Sequence, residues 1–217
     1  MLTLYGADLS SPSNKIRFTA NALGLEYTYK PVKLREGENR SEWFLKLNPT
    51  GKIPVIDDNG FVLFESNAIC KYLLEKNNSA LYPKDLKQRA VVDQWSDFVS
   101  MHVGMALSKV LYNRVFAPII KVPVDEQSIK DGLNFLEKFL PVLESQLGKN
   151  KYLAGAQMTF ADINLLATLD AAEVADVDLS KYANTVKWRN ELKTQAFYTK
   201  CYKDYGENFK NFAASTK

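Results

Sequence analysis

The character of the chain changes once, near residue 78, and that change limits its fold more than any other feature. Before it, short β-prone runs alternate with helical ones; after it, apolar residues recur almost only at helical spacing. Residues 2–5 read as a strand closed by Gly6. Residues 12–23 read as a helix, since Pro12 is tolerated in the first turn and Gly24 suits a C-terminal cap. Residues 27–32 are a second strand and 42–47 a short helix. Residues 53–56 and 61–64 flank Asp57-Asp58-Asn59-Gly60, a strong hairpin signal. Ser66 is placed as the cap of a helix carrying Ile69, Tyr72 and Leu73. The order β-α-β-α-β-β-α predicts a small α/β unit over residues 1–78, with a parallel half and an antiparallel edge.

Asn77-Asn78-Ser79-Ala80-Leu81-Tyr82-Pro83 reads as a linker, and residues 86–217 as an all-helical domain. Val91, Trp95, Phe98 and Val99, then Met105, Val110 and Leu111, mark its first helical stretch. A long helix fits residues 125–147, with Ile129, Leu133, Leu136, Leu140 and Leu143 turned inward. Thr159-Phe160-Ala161-Asp162 has the form of a capping box, and Met158 and Ile163 hold the positions of a hydrophobic staple. The helix it opens, over 163–171, is nearly all apolar and belongs in the middle of the domain. This motif is read as structural.

Composition removes several functions. The net charge is only +3, with basic and acidic residues interspersed, so the basic stripe of a nucleic-acid binder is missing. No apolar run approaches the ~20 residues of a membrane span, and the opening MLTLYGADLSS does not read as a secretory leader. Cys70 and Cys201 are too few for a disulfide framework and fit reduced thiols in a cytoplasmic protein. A single histidine, His102, argues against a zinc site or a Ser-His-Asp triad, and no metal is expected. G-x-S-x-G, P-loop and G-x-G-x-x-G motifs are absent from the sequence.

Three stretches of the first unit carry possible chemistry. In Asn48-Pro49-Thr50-Gly51-Lys52-Ile53-Pro54-Val55, a proline just before an apolar strand marks a sheet edge or a special peptide bond, and the backbone of Ile53 or Val55 offers a pairing site for an extended peptide. An ordinary turn is the simpler account of that stretch. In Phe64-Glu65-Ser66-Asn67-Ala68-Ile69, Ser66 lies at a helix N-terminus that favours an anion, beside the acceptor Glu65. Together they suit a zwitterionic amino acid, although a plain cap with an exposed Glu explains them too. In Leu9-Ser10-Ser11-Pro12-Ser13, three serines crowd a helix start where one cap suffices. A hydroxyl aimed at a thiolate there can lower its pKa. A shift from ~8.5 to ~6.5 needs about 2.7 kcal/mol. A hydrogen bond to a charged group supplies roughly 1.5–3 kcal/mol, and a helix N-terminus adds about 0.3–1.

Ser-x-Pro at the first helix, N-P-x-G-K-I-P-V, F-E-S-N-A-I and T-F-A-D-I stand here in the order and spacing of the cytosolic glutathione transferases, and the chain resembles that superfamily over essentially its whole length. Within it, the chain is most similar to the serine-type theta, delta and phi classes. The resemblance implies a thioredoxin-like domain followed by an all-α domain, usually in a homodimer. It also implies glutathione as co-substrate, with a small hydrophobic electrophile as partner and glutathione peroxidase as a side activity. Ser10 matches the serine that activates the thiol, with Ser11, Ser13 and Tyr5 as alternatives. Pro54 matches the family's cis-proline, and Ile53 the residue whose backbone pairs with the cysteinyl part. Lys52 matches a polar side chain holding the ligand; Glu65 and Ser66 match the pair reading the γ-glutamyl end. Asn39 and Arg40 fall where a His and a Lys often meet the glycyl carboxylate, so Asn39 is a departure, as is Asn67 where several classes have Arg. Leu9, Met101, Met105, Tyr112 and Phe116 are the expected acceptor pocket. The alternative is a non-catalytic relative of the kind found in translation elongation factors and transcription-associated proteins.

Overall fold

A computed structural model describes residues 1–202 and 205–214. Of the helical span expected over 86–217, positions 203, 204 and 215–217 therefore lie outside the described residues. Strand β1 (Leu2–Gly6), helix α1 (Ser11–Ala22), strand β2 (Thr28–Pro31), helix α2 (Glu42–Leu47), strands β3 (Val55–Asp58) and β4 (Phe61–Phe64) and helix α3 (Ser66–Lys76) follow in the predicted order. The sheet order is β2-β1-β3-β4. The β1–β2 pair is parallel, whereas β3 runs antiparallel to both β1 and β4.

Local chemistry accounts for most of these elements. Gly24, just past the end of α1, takes a left-handed φ of 67°, which only glycine adopts without steric cost. Asn59 and Gly60, with φ of 54° and 90°, form the two-residue turn between β3 and β4. Along β1 the side chains alternate. Leu2, Leu4 and Gly6 are buried on the side of α1 and α3, while Tyr5 faces the smaller cluster of Val32, Phe44 and Val55 beneath α2. One expectation needs correction. Ser66 is the first residue of α3, not its cap. The cap is Glu65, whose φ of 72° is unusual for a residue with a side chain, and its side chain makes no capping bond.

The second half is helical. Helix α4 (Leu86–Phe98), a π-helical turn (Val99–Gly104), α5 (Met105–Leu111), a second π-helical turn (Tyr112–Phe116) and α6 (Ala117–Ile119) form one continuous run. They are followed by α7 (Glu126–Lys149), α8 (Phe160–Val174), α9 (Ala183–Lys193), α10 (Ala196–Thr199) and α11 (Tyr205–Ala214). The buried stripe of the first run is Val92, Ser96, Val99 and Val103; of the expected Val91, Trp95, Phe98 and Val99, Val99 lies in this stripe and Trp95 and Phe98 pack half-buried against the core. The small Ser96 lets α4 approach α8, where Asn164 Nδ2 donates to the Ser96 carbonyl at 2.9 Å. Val91, by contrast, is exposed.

Helix α8 is buried almost throughout. Its capping box is present, with Asp162 Oδ2 accepting from the Thr159 N–H at 2.9 Å. Helix α1 lies between the sheet and α8, and Phe18 packs against Phe197, Tyr198 and Tyr202, so one continuous core joins the two halves. Among the described residues no helix is long and apolar enough to cross a membrane, and Cys70 and Cys201 are both free.

Candidate active site

A cleft of about 630 Å³ opens where the N-termini of α1 and α3 face the run from Ser100 to Phe116. Its first wall is mainly polar, with Ser10, Ser11, Lys15, Glu65, Ser66 and Asn67. Its second is mainly apolar, with Met101, Met105, Leu111 and Phe116. The two walls come from the two halves of the chain, so the cleft exists only when both are folded together.

The loop that presents Ser10 is held from several sides. The Ser10 N–H donates to the Ala7 carbonyl at 3.1 Å. Asn14 Nδ2 donates to the Asp8 carbonyl at 2.8 Å, and the Tyr205 hydroxyl to the Leu9 carbonyl at 2.8 Å. Ser10 caps α1, accepting from the Ser13 N–H at a long 3.4 Å. As an acceptor in that bond, the hydroxyl keeps its own hydrogen for something else. Ser11 also lines the cleft, in the first turn. Ser13 does not: it is fully buried, its Oγ accepts from the Ala7 N–H at 3.3 Å, and a Cβ on Gly6 would meet that oxygen at 2.8 Å. Tyr5 lies on the other face of the sheet, its ring 5.9 Å from that of Trp43.

The Ile53–Pro54 peptide bond is cis, and Ile53 lines the cleft while Pro54 is buried behind it. Glu65 and Ser66 line the cleft at the start of α3, where the first backbone N–H groups have no intrahelical partner. Asn39, Arg40 and Lys52 lie outside its lining. Asn39 Nδ2 donates to the Gly51 carbonyl at 2.7 Å and Arg40 Nη1 to the Thr50 carbonyl at 3.5 Å, so both brace the loop before Pro54. Lys52 is exposed beside them. Leu9, Met101, Met105 and Phe116 are in the lining, but Tyr112 is not. Leu111 and Phe116, five apart across the π-helical turn, both line the cleft.

Sequence reasoning missed Lys15. Its Nζ donates to Ser66 Oγ at 3.3 Å and Asn67 Oδ1 at 2.6 Å, and burial pushes its pKa down to about 8, opposed by Cys70 and Glu65. The available signal was a lysine directly beside Ile16 on the inward face of α1. The single histidine, His102, is exposed and packs against Phe139, with ring centroids 4.7 Å apart, outside the cleft lining. Among the described residues no group of three His, Cys, Asp or Glu is arranged to hold a metal.

Residues 1–75 match the glutathione S-transferase N-terminal domain and residues 104–196 the C-terminal domain. A delta-class glutathione transferase from Nilaparvata lugens is 30% identical, with all of both chains covered and a TM-score of 0.86. Glutathione transferase F2 from Populus trichocarpa is 29% identical, covering 93% of this chain and 97% of its own, with a TM-score of 0.86. A glutathione S-transferase-I bound with lactoylglutathione is 29% identical over 92% of this chain and 97% of its own, with a TM-score of 0.84. The chain belongs to the cytosolic glutathione S-transferase superfamily.

Proposed function

We propose that this protein is a glutathione transferase in which the Ser10 hydroxyl holds the glutathione thiol as a thiolate for attack on small apolar electrophiles. The observation behind this reading is the Ser10 hydroxyl itself, which lines the cleft with its hydrogen uncommitted, at a helix N-terminus and opposite a wall of methionine and phenylalanine. The lactoylglutathione bound by the related transferase is consistent with a glutathione site at these positions.

In this reading glutathione lies along the polar wall. Its cysteinyl backbone pairs with Ile53 beside Pro54, and its γ-glutamyl end meets Glu65, which accepts from the ammonium, and Ser66. Asn39, Arg40 and Lys52 serve the other end, either directly or by bracing the loop that ends at Pro54. The thiol proton leaves to solvent, and Ser10 donates its hydrogen to the sulfur anion. A hydrogen bond to a charged group supplies roughly 1.5–3 kcal/mol and the α1 N-terminus about 0.3–1, so no metal and no histidine base is called for. The thiolate then forms a bond to the electrophilic carbon or oxygen while the electron pair departs with the leaving group. Leu9, Met101, Met105 and Phe116 desolvate the acceptor, and the pliant methionines suit varied shapes. A cytoplasmic homodimer and a peroxidase side activity belong to the same proposal.

Ultraviolet titration of bound glutathione tests it. Wild type should lower the thiol pKa by about one unit or more, and Ser10→Ala should abolish most of that shift while Ser11→Ala keeps it. Glutathione bound with an unshifted thiol would instead favour a non-catalytic role for the fold.

A further inference from the structure

Lys15 presents the cleft with a buried ammonium that no carboxylate of the described residues contacts directly. The residue is 6% exposed, yet it lines the cleft. Its two hydrogen-bond acceptors, Ser66 Oγ and Asn67 Oδ1, are both neutral. Among the described residues no carboxylate forms an ion pair with it. An ammonium has three hydrogens, and these two bonds use two of them. A buried cation without an anion is unfavourable, and its depressed pKa of about 8 reflects that burial.

The neighbouring amide is held in a matching orientation. Asn67 Nδ2 donates to Ser100 Oγ at 3.0 Å, and the same hydroxyl accepts from Asn164 Nδ2 at 3.0 Å. The second domain thereby keeps the Asn67 oxygen turned to Lys15. An arginine at position 67 would instead set a guanidinium against a buried ammonium, where like charges repel strongly. The departure at Asn67 and the lysine at 15 are thus complementary, and the positive charge at this end of the cleft is supplied from α1 instead of α3.

We propose that Lys15 is a carboxylate-binding residue of the cleft, pairing its ammonium with the α-carboxylate of the γ-glutamyl residue at Ser66. This rests on the glutathione reading above. The titratable groups facing Lys15 are Glu65, the cap of α3, and Cys70 within that helix; the segment of the second domain nearest the network contributes the neutral Ser100. An arriving carboxylate completes the third hydrogen bond and restores the ammonium's preference for its proton.

The test measures binding, by calorimetry, of S-methylglutathione and of the same peptide with 4-aminobutyrate replacing γ-glutamate, which lacks only that carboxylate. Lys15→Met should weaken S-methylglutathione by about tenfold or more, the worth of one charged hydrogen bond, and change binding of the decarboxylated peptide less than about twofold. Lys15→Arg, which cannot lose its proton, guards against a folding failure of the methionine variant. The ratio of wild-type to Lys15→Arg affinity for S-methylglutathione should hold below pH 8 and fall about tenfold towards pH 9, because the ligand's own amine titrates equally in both. Equal weakening of the two peptides, no weakening of either, or a pH-independent ratio overturns the proposal for Lys15. Wild type binding neither peptide nor glutathione overturns the glutathione reading instead.

Discussion

The starts of α8 and α1 pose the same chemical problem and solve it in opposite ways. At α8 the Asp162 carboxylate accepts from the Thr159 N–H, the Thr159 hydroxyl, the Leu153 N–H and Trp188 Nε1. Burial pushes its carboxyl up to about 6, while the four donors oppose that shift. The capping carboxylate there meets four donors, and the helix is locked into the core. At α1 the cap Ser10 accepts a single bond at 3.4 Å, and at α3 the cap Glu65 contributes no side-chain bond at all. The donors left over face the cleft. A helix terminus whose cap is satisfied from within supports the fold, whereas one left open beside a cavity is available to a ligand.

The contrast can be broken most severely at Asp162. Asp162→Ala strands the buried Leu153, Thr159 and Trp188 donors, and should cost about 3 kcal/mol or more in urea unfolding. A loss below about 1 kcal/mol would mean that the capping box does not hold α8 in the core. Next comes Glu65→Gly. The left-handed backbone at 65 is strained for any side chain, so glycine should leave stability unchanged or raise it by about 1 kcal/mol. Glutathione affinity should nevertheless fall about tenfold with the loss of an acceptor for the ammonium. If stability and affinity fall together, the strain at 65 is not maintained for the ligand. The smallest effect is expected at Ser13, whose hydroxyl belongs to the packing under β1. Ser13→Ala should cost roughly 0.5–1 kcal/mol in thermal unfolding and leave the bound thiol's pKa in place, in contrast to Ser10→Ala.

Much of this arrangement is legible in the sequence, and unevenly so. Asn59-Gly60 announces its hairpin because both positions need positive φ, and Thr159-x-x-Asp162 announces its helix because the two side chains reciprocate over three residues. Glu42–Leu47 is bounded as expected. These are interactions between near neighbours in the chain. Glu65 as cap and Lys15 as a buried cation are not legible in that way. The first depends on how β4 delivers the chain to α3, and the second on a contact across 51 residues to Ser66. Tyr112, an expected pocket residue, lies outside the cleft lining, whereas Leu111 beside it lies inside.

By itself the sequence determined the order of elements, the division into an α/β and a helical half, and the resemblance that points to a glutathione site, because turn chemistry, caps and periodicity act over a few residues. Only the tertiary structure decided that Ser10 and Ser11 reach the cleft while Ser13 does not, which face of α4 is buried and that Lys15 is buried without an ion-pair partner. Each of those depends on what lies opposite once α1 is packed between the sheet and α8, and burial and charge compensation are properties of that packing.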